Sequence, residues 1–444
     1  MMQYMKDSGI RWIGEIPAEW ELNKIKYIAS SIFQGNGITK EDVVEDGDTF
    51  CVRYGEIYTK YNFAFKDCVT KTNEKLISSR RYFSHGDILF VGTGESVEEI
   101  GKNIAYLGNE KCLAGGDIIV VQHNQNPSFL SYAMNSYYAQ AQKSYGKAKL
   151  KVVHISPADI GNLMVLLPPL AEQQAIASFL DAKCAKLDSI ITDLERQIEI
   201  LQEYKKSVIT HAVTKGLNPV ATMKDSGIEW IGDIPAHWDA KRMKYILAEP
   251  LQYGANETGD DYDENLPRYI RITDITDDNS LKNEGEQSLQ FNVAKPYLLQ
   301  DGDVLFARSG ATVGKTFLYT KHYGIAAFAG YLIKAQTDKS KVLPRFLFYT
   351  TLGNGYDNWK NMVFSQATIQ NIGADKYAQL IVTIPPLKEQ EGIINFLDIK
   401  CTKADQILSD KRDQLRAIQE NKSSLIYEYV TGKKCVKEAA IHAD

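Results

Sequence analysis

Six cysteines in 444 residues, with no two forming a C-x-x-C pair, leave little room for metal or disulfide chemistry. Cys51, Cys68, Cys112, Cys184, Cys401 and Cys435 stand far apart, and none joins a Cys/His cluster with zinc spacing. They read as separate thiols in a reducing cytoplasm. His85, His123, His154, His211, His237, His322 and His442 show neither an H-E-x-x-H arrangement nor a Ser/His or Cys/His pairing that recurs. No run of about eighteen apolar residues occurs, which excludes a membrane-spanning helix. The opening "MMQYMKDSGI" lacks the basic and apolar stretches of a secretory signal. A positive excess is missing too: 51 Lys and Arg face 56 Asp and Glu, a net charge of −5. Phosphate binding needs positive charge locally, so a nucleic-acid partner would require a basic groove that the net figure hides.

What is present is a repeat. "MKDSGIRWIGEIPAEW" (5–20) returns as "MKDSGIEWIGDIPAHW" (223–238), 218 positions later. "CVRYGEIY" (51–58) then matches "YIRITDIT" (269–276), aligning Arg53 with Arg271. "HGDILFVGTG" (85–94) matches "DGDVLFARSG" (301–310), and "LAGGDIIV" (113–120) matches "FAGYLIKA" (328–335). Finally "LPPLAEQQAIASFLDAKCAKLD" (167–188) matches "IPPLKEQEGIINFLDIKCTKAD" (384–405). A period of half the chain is a duplicated two-part unit rather than a solenoid, whose repeats run to about 20–50 residues. Apolar content of 44% marks a folded protein. The expected division is a globular domain over 1–166, a helical segment over 167–217, a second domain over 218–383, a second helical segment over 384–434 and a tail over 435–444. Framework positions agree between the copies while loops differ, as in duplicates that do one job on two targets; the plain alternative is loops that have merely drifted.

The globular parts hold short apolar or alternating runs bounded by Gly, Asp and Asn, such as "DILFVG", "DIIVVQ", "DVLFAR" and "YLIKA". These predict an α+β fold with a twisted, mostly antiparallel sheet. One helix is expected over 127–143 and one over 344–360, each with proline near its start. In the helical segments Leu180, Leu187, Leu194, Leu201 and Val208 recur every seven residues, and Leu397, Ala404, Lys411, Ile418 and Leu425 do so in the second copy. Cys184, Ile191, Ile198 and Ala212, then Cys401, Leu408, Leu415 and Tyr429, fall four places after them. Lys205 and Lys422 share one seam position, a polar interruption that fixes register. Lys411 at Leu194's place breaks the stripe. Such a helix spans about 60 Å and cannot hide its stripe alone. An antiparallel pair is expected, with a globular domain at each end and an approximate two-fold axis between.

Catalytic signatures fail on inspection. "SGATVGKT" (309–316) resembles a phosphate-binding loop, yet Gly310 and Gly314 enclose three residues where the motif needs four. These glycines read as a tight strand-to-strand loop instead. The carboxylate pairs Glu98-Glu99 and Asp277-Asp278 sit in polar stretches and read as solvated turns. Neither "LPPL" nor "IPPL" has the Asn/Asp-Pro-Pro-aromatic form of a base-methylating site.

Two variable domains, each followed by "PPLxEQxxIxxFLDxKxxKxD" and opened by "WIGxIPxxW", strongly resemble the specificity subunit of type I restriction–modification enzymes. The similarity covers essentially the whole chain. The resemblance implies a non-catalytic subunit in the prokaryotic cytoplasm whose variable domains recognise double-stranded DNA and whose helices are spacers. It implies two modification (methyltransferase) subunits, which use S-adenosylmethionine to methylate adenine. It also implies restriction subunits that use ATP and Mg to translocate and cut DNA; no cofactor is expected on this chain itself. Differing loops then mean an asymmetric bipartite target.

Candidate DNA-binding residues are those concentrating positive charge. They are Arg53, Arg80, Arg81, Lys147, Lys149 and Lys151 in the first domain, and Arg268, Arg271, Arg308, Lys315 and Lys360 in the second. Arg308 faces Gly92 in the first copy, a difference of the sort that changes specificity. For helix pairing the expected residues are Leu180, Leu187, Leu194, Leu201, Val208, Leu397, Leu408, Leu415, Ile418 and Leu425. The competing reading is a two-domain coiled-coil scaffold that binds proteins without DNA selectivity.

Overall fold

A computed structural model describes residues 4–10, 13–77, 80–94, 96, 99–145, 153–365 and 371–436. The chain forms two compact units, one of Met1–Leu194 with Asp413–Asp444 and one of Glu195–Arg412. Each long helix is therefore shared, its first part belonging to one unit and its second to the other.

In the first unit a five-stranded sheet runs in the order Ala29–Gln34, Ile118–His123, Ile88–Val91, Asn103–Tyr106 and Ala64–Phe65. Only the last pairing is parallel. A second sheet joins Thr70–Thr72, Thr49–Val52, Cys112–Ala114 and Tyr82–Phe83, with its central pair parallel. In the second unit Gln252–Tyr253, Leu332–Ala335, Val304–Ala307 and Thr316–Leu318 form an antiparallel sheet. Asp260–Asp261, Gln287–Ser288, Arg268–Ile270 and Ala326–Phe328 form its companion.

The continuous apolar runs have a direct cause. Successive side chains of a strand point to opposite faces, and here both faces are covered. Ile88 and Phe90 enter one core, while Leu89 and Val91 enter another. In the second unit Val304 and Phe306 part from Leu305 and Ala307 in the same way. One core of each pair contains the long helices; the other lies between the sheets.

The helices expected over 127–143 and 344–360 are each broken. Pro127–Asn135 is followed by Tyr137–Ser144, with Ser136 extended between them. The cause is tertiary: Asn135 at the break accepts from the Asn103 backbone N–H and donates to its carbonyl, tying the helix end to a strand. Pro344–Thr350 stops before Asn354–Ser365, and Thr351 at that stop shares a hydroxyl–hydroxyl bond with Thr316 of the sheet. The cysteines are not all separate either. The Cys68 and Cys112 sulfurs lie 2.9 Å apart in a buried hydrogen bond, a meeting that spacing along the chain does not show.

The long helices run Leu170–Lys215 and Leu387–Val430. Within the first unit Phe179 packs against Tyr429 with the rings tilted and Lys422 pairs with Asp188, so one helix descends as the other ascends. Within the second, Lys205 meets Asp405 at 2.5 Å, while Ile209, Ala212 and Val213 share a core with Cys401, Leu397 and Ile393. The lysines at the repeated seam position thus each take an aspartate from the facing helix. Leu180, Leu194, Leu397 and Leu408 are buried; Leu187, Leu201, Val208, Leu415, Ile418 and Leu425 are half-buried, as is Lys411. Ile209 and Ile426, one place beyond the heptad, are buried because there the helices meet the domains.

The repeated motifs form a clamp. Trp20 and Trp238 are buried, and each indole N–H donates to a carboxylate in the first turn of a long helix, Glu172 at 3.2 Å and Glu389 at 2.9 Å. The next residues, Gln173 and Gln390, accept from the backbone N–H of Asn126 and Leu343 and donate to the carbonyls of Pro168 and Pro385. Tyr132 donates to Asp181 and Tyr349 to Asp398. The opposite helix end closes each clamp: Gly432 rests on Trp20 and Pro17, Gly216 on Trp238. Lys433 then donates to the Glu15 carbonyl, and Lys215 to that of Asp233.

Gly216 and Gly432 have φ of +75° and +69°, a region that costs an L-residue about 1–3 kcal/mol. Gly216→Ala is expected to lower Tm, and Gly432→Ala to lower it further, because its added methyl would overlap the Pro17 ring. Thermal unfolding followed by tryptophan fluorescence checks the ranking; equal or unchanged Tm values would contradict the clamp.

Candidate nucleic-acid interface

A positive side chain is ready to serve a phosphate or a base only if no carboxylate of the protein already holds it. Near the second sheet of the first unit, Arg53 follows Thr49–Val52 in extended backbone, and its N–H donates to the Glu56 carboxylate at 3.0 Å. Burial alone pushes Glu56 up. Bonds from Lys60, Thr70 and the Arg53 N–H outweigh that and hold its pKa below the usual range. The Arg53 guanidinium itself has no ion pair among the described residues, and its Nε is buried without a partner. Arg80 is exposed with Glu74 at 3.6 Å. Arg81 donates to the Gln34 carbonyl, and its N–H to the side chain of Asn36. Lys147, Lys149 and Lys151 lie outside the described residues.

In the second unit four of the five candidates hold a carboxylate. Arg268 pairs with Glu286 at 2.8 Å and Arg271 with Asp274 at 2.7 Å. Lys315 pairs with Asp277 at 2.5 Å, and Lys360 with Asp357 at 2.7 Å. The Lys315 ammonium holds the exposed Asp277 carboxyl below its usual range. Asp278 accepts from Thr276 and Ser280, closing a turn. Arg271 matches Arg53 in one respect: its N–H donates to the carboxylate three residues on, so this position is part of the frame in both copies. Arg308 has no carboxylate partner among the described residues; its guanidinium lies 4.9 Å from the centre of the Tyr253 ring.

Arg53 and Arg308 approach the same loop in their respective units. Gly115 donates to the Val52 carbonyl beside Arg53, and Arg308 donates to the Tyr331 carbonyl. Bridges Asn36–Gly115 and Ala255–Ala329 fix the neighbouring segments. A Cβ at Gly35 or Gly254 would strike the facing carbonyl, so these backbones meet only because glycine is there. The two units thus share a loop framework and differ in what it carries. Gln34, Gly92 and Asp117 occupy the places of Tyr253, Arg308 and Tyr331.

Sequence reasoning missed Tyr253. The glycine shared by "FQGNG" (33–37) and "QYGAN" (252–256) is the signal that aligns it with Gln34. Lys143 stands in a basic run of the sequence, yet it is buried and donates to the carbonyls of Gly101 and Met134. Lys360 repeats its position, its stem lying against Gly314 as that of Lys143 lies against Gly101. Among the described residues no group of three or more His, Cys, Asp or Glu is placed to hold a metal ion.

The family described as "Type I restriction modification DNA specificity domain" matches residues 17–201 and 256–417. The chain is 26% identical, over an alignment 474 positions long, to a putative type I restriction enzyme MjaX specificity subunit of Methanocaldococcus jannaschii, covering 98% of this chain and 99% of that protein. It is 23% identical to the type I restriction enzyme EcoKI specificity subunit of Escherichia coli K12, covering 97% and 92%. A chain solved in work on complex assembly and conformational transition of the type I R-M system shares its fold, with TM-score 0.67 at 16% identity over 94% of this chain and 99% of that one.

Burial pushes the Lys143 amine down to about 7. In the unfolded chain it titrates near 10.5, so folding favours the neutral form. That contribution is complete above pH 10.5, is lost as pH falls toward 7, and is constant below. Lys143→Met is therefore expected to flatten the rise in stability between pH 7 and 10, a rise on the order of a few kcal/mol. Urea unfolding across that range checks it; an unchanged slope would contradict the buried amine.

Proposed function

The chain belongs to the type I restriction–modification DNA specificity family, and on that premise we propose that it reads an asymmetric, two-part DNA sequence and directs partner enzymes to it. One observation carries the reading. The polar clamp is the same in both units, while the loop framework beside it carries Arg308 and Tyr253 in one and Gly92 and Gln34 in the other. A scaffold needs the common clamp only. Two different readers need both.

On this reading the chain performs no chemistry. Two modification subunits methylate adenine with S-adenosylmethionine, and restriction subunits use ATP and Mg to translocate and cut, all in the prokaryotic cytoplasm. A duplicated docking surface supports two copies of one partner: Leu170 and Leu387, and likewise Ile190 and Ile407, are repeat-equivalent and exposed on the long helices. Exposed apolar side chains at matching places are what a protein partner would bury. The long helices act as a ruler, and Arg53, Arg80, Arg81, Arg268, Arg271, Arg308, Lys315 and Lys360 supply contacts to phosphates and bases.

The test is to reconstitute the chain with its modification subunits and map methylated adenines across a genome. A split motif with a fixed gap is expected; scattered or absent marks would overturn the reading in favour of a scaffold. Inserting one heptad into both long helices adds about 10.5 Å. The gap is then expected to widen by up to about three base pairs at 3.4 Å each, with both half-sites unchanged. An unaltered gap in the methylation map would defeat the ruler.

A further inference from the structure

Arg308 differs from every other described candidate in its unit. Arg268, Arg271, Lys315 and Lys360 each hold a carboxylate. Arg308 holds none among the described residues, and its Nε is buried with no hydrogen-bond partner. Leaving a buried donor unmade is costly. Arg308 is nevertheless held firmly. Its N–H donates to the Tyr331 carbonyl at 3.0 Å, and its own carbonyl accepts from Ile372 at 2.8 Å. Its guanidinium lies over the Tyr253 ring. That ring is fixed in turn, since the Tyr253 hydroxyl accepts from the Ala374 N–H at 2.9 Å.

A phosphate contact needs charge and tolerates a mobile side chain. A contact with a base edge needs the planar donor fork in one orientation. Contact with a fixed ring restricts where the guanidinium can lie and lowers the entropy lost on binding. The acceptor pair that fits such a fork in the major groove is guanine O6 and N7. We propose that Arg308 recognises a guanine in the half-site read by the second unit, with Tyr253 as its positioning residue. This inference rests on the DNA-reading function proposed above. At the equivalent place the first unit lacks this device: Gly92 stands in place of Arg308, and Gln34, in place of Tyr253, donates its side-chain amide to the Gly116 carbonyl. The guanine contact of this kind therefore belongs to one half-site only.

The experiment uses the chain assembled with its modification subunits and synthetic duplexes carrying the mapped target. Each guanine is replaced singly by 7-deazaguanine, which lacks N7. For the native chain, one position in one half-site is expected to lose roughly ten- to a hundredfold in affinity. Arg308→Ala should lose a similar factor on the normal duplex and nothing further from 7-deazaguanine at that position. Arg308→Lys, which keeps the charge and the fold, should behave like Arg308→Ala there. Tyr253→Phe keeps the ring but loses the hydroxyl that fixes it, and should shrink the N7 penalty less than Tyr253→Ala, which removes the ring. If Arg308→Ala weakens all duplexes alike and lowers the salt slope by about one, the residue contacts phosphate and the inference is overturned. It is overturned equally if no guanine shows N7 dependence while the native complex still prefers its target. A native complex that does not prefer the target over a scrambled duplex overturns the DNA-reading function itself.

Discussion

A buried indole N–H must find an acceptor, and in this chain the acceptor is a carboxylate some 150 residues away. That requirement explains why "WIGxIPxxW" and "PPLxEQ" are repeated together. Trp20 needs Glu172, Trp238 needs Glu389, and neither half of the pair is worth burying without the other. The neighbouring glutamines bond two more backbone groups apiece, and Asp181 and Asp398 take the hydroxyls of Tyr132 and Tyr349. Domain and helix are thereby joined by directional bonds around an apolar core, which fixes the angle at which each helix leaves. Burial alone would fix the contact and not the angle.

How much of this was legible in the amino-acid sequence depended on the range of the interaction. The duplication, the strands and the heptad stripe are local patterns, and Leu180, Leu194, Leu397 and Leu408 stand buried on the seam. The stripe predicts that the helices pair antiparallel, and the partners of Lys205 and Lys422 stand in the motif as its closing aspartate, yet nothing local says that each lysine takes the aspartate of the other copy. The breaks at Ser136 and after Thr350 come from side chains on distant strands, which propensity does not register. Lys143 reads as surface charge until its stem is seen against Gly101, where any side chain would strike it. Tyr253 is an ordinary tyrosine until Arg308 lies upon it.

The acidic balance of the chain has a local explanation in the second unit. Glu286, Asp274, Asp277 and Asp357 each neutralise a candidate cation, so the positive charge that would repel itself in a bare groove is held in pairs. Their worth is not chiefly stability. Their effect is on availability: a cation already bonded must be released before it can serve a phosphate, and one left unbonded is free to act at once. Net charge therefore misjudges such a surface in both directions.

The central strands of each unit behave as a party wall. Along Ile88–Val91 and Val304–Ala307, alternate side chains belong to different rooms, one furnished with the long helices and the other enclosed between sheets. A substitution at Leu89 or Leu305 alters the second room and leaves the lodging of the helices untouched. Variation can in this way redecorate the second room while the tenancy of the helices in the first continues undisturbed.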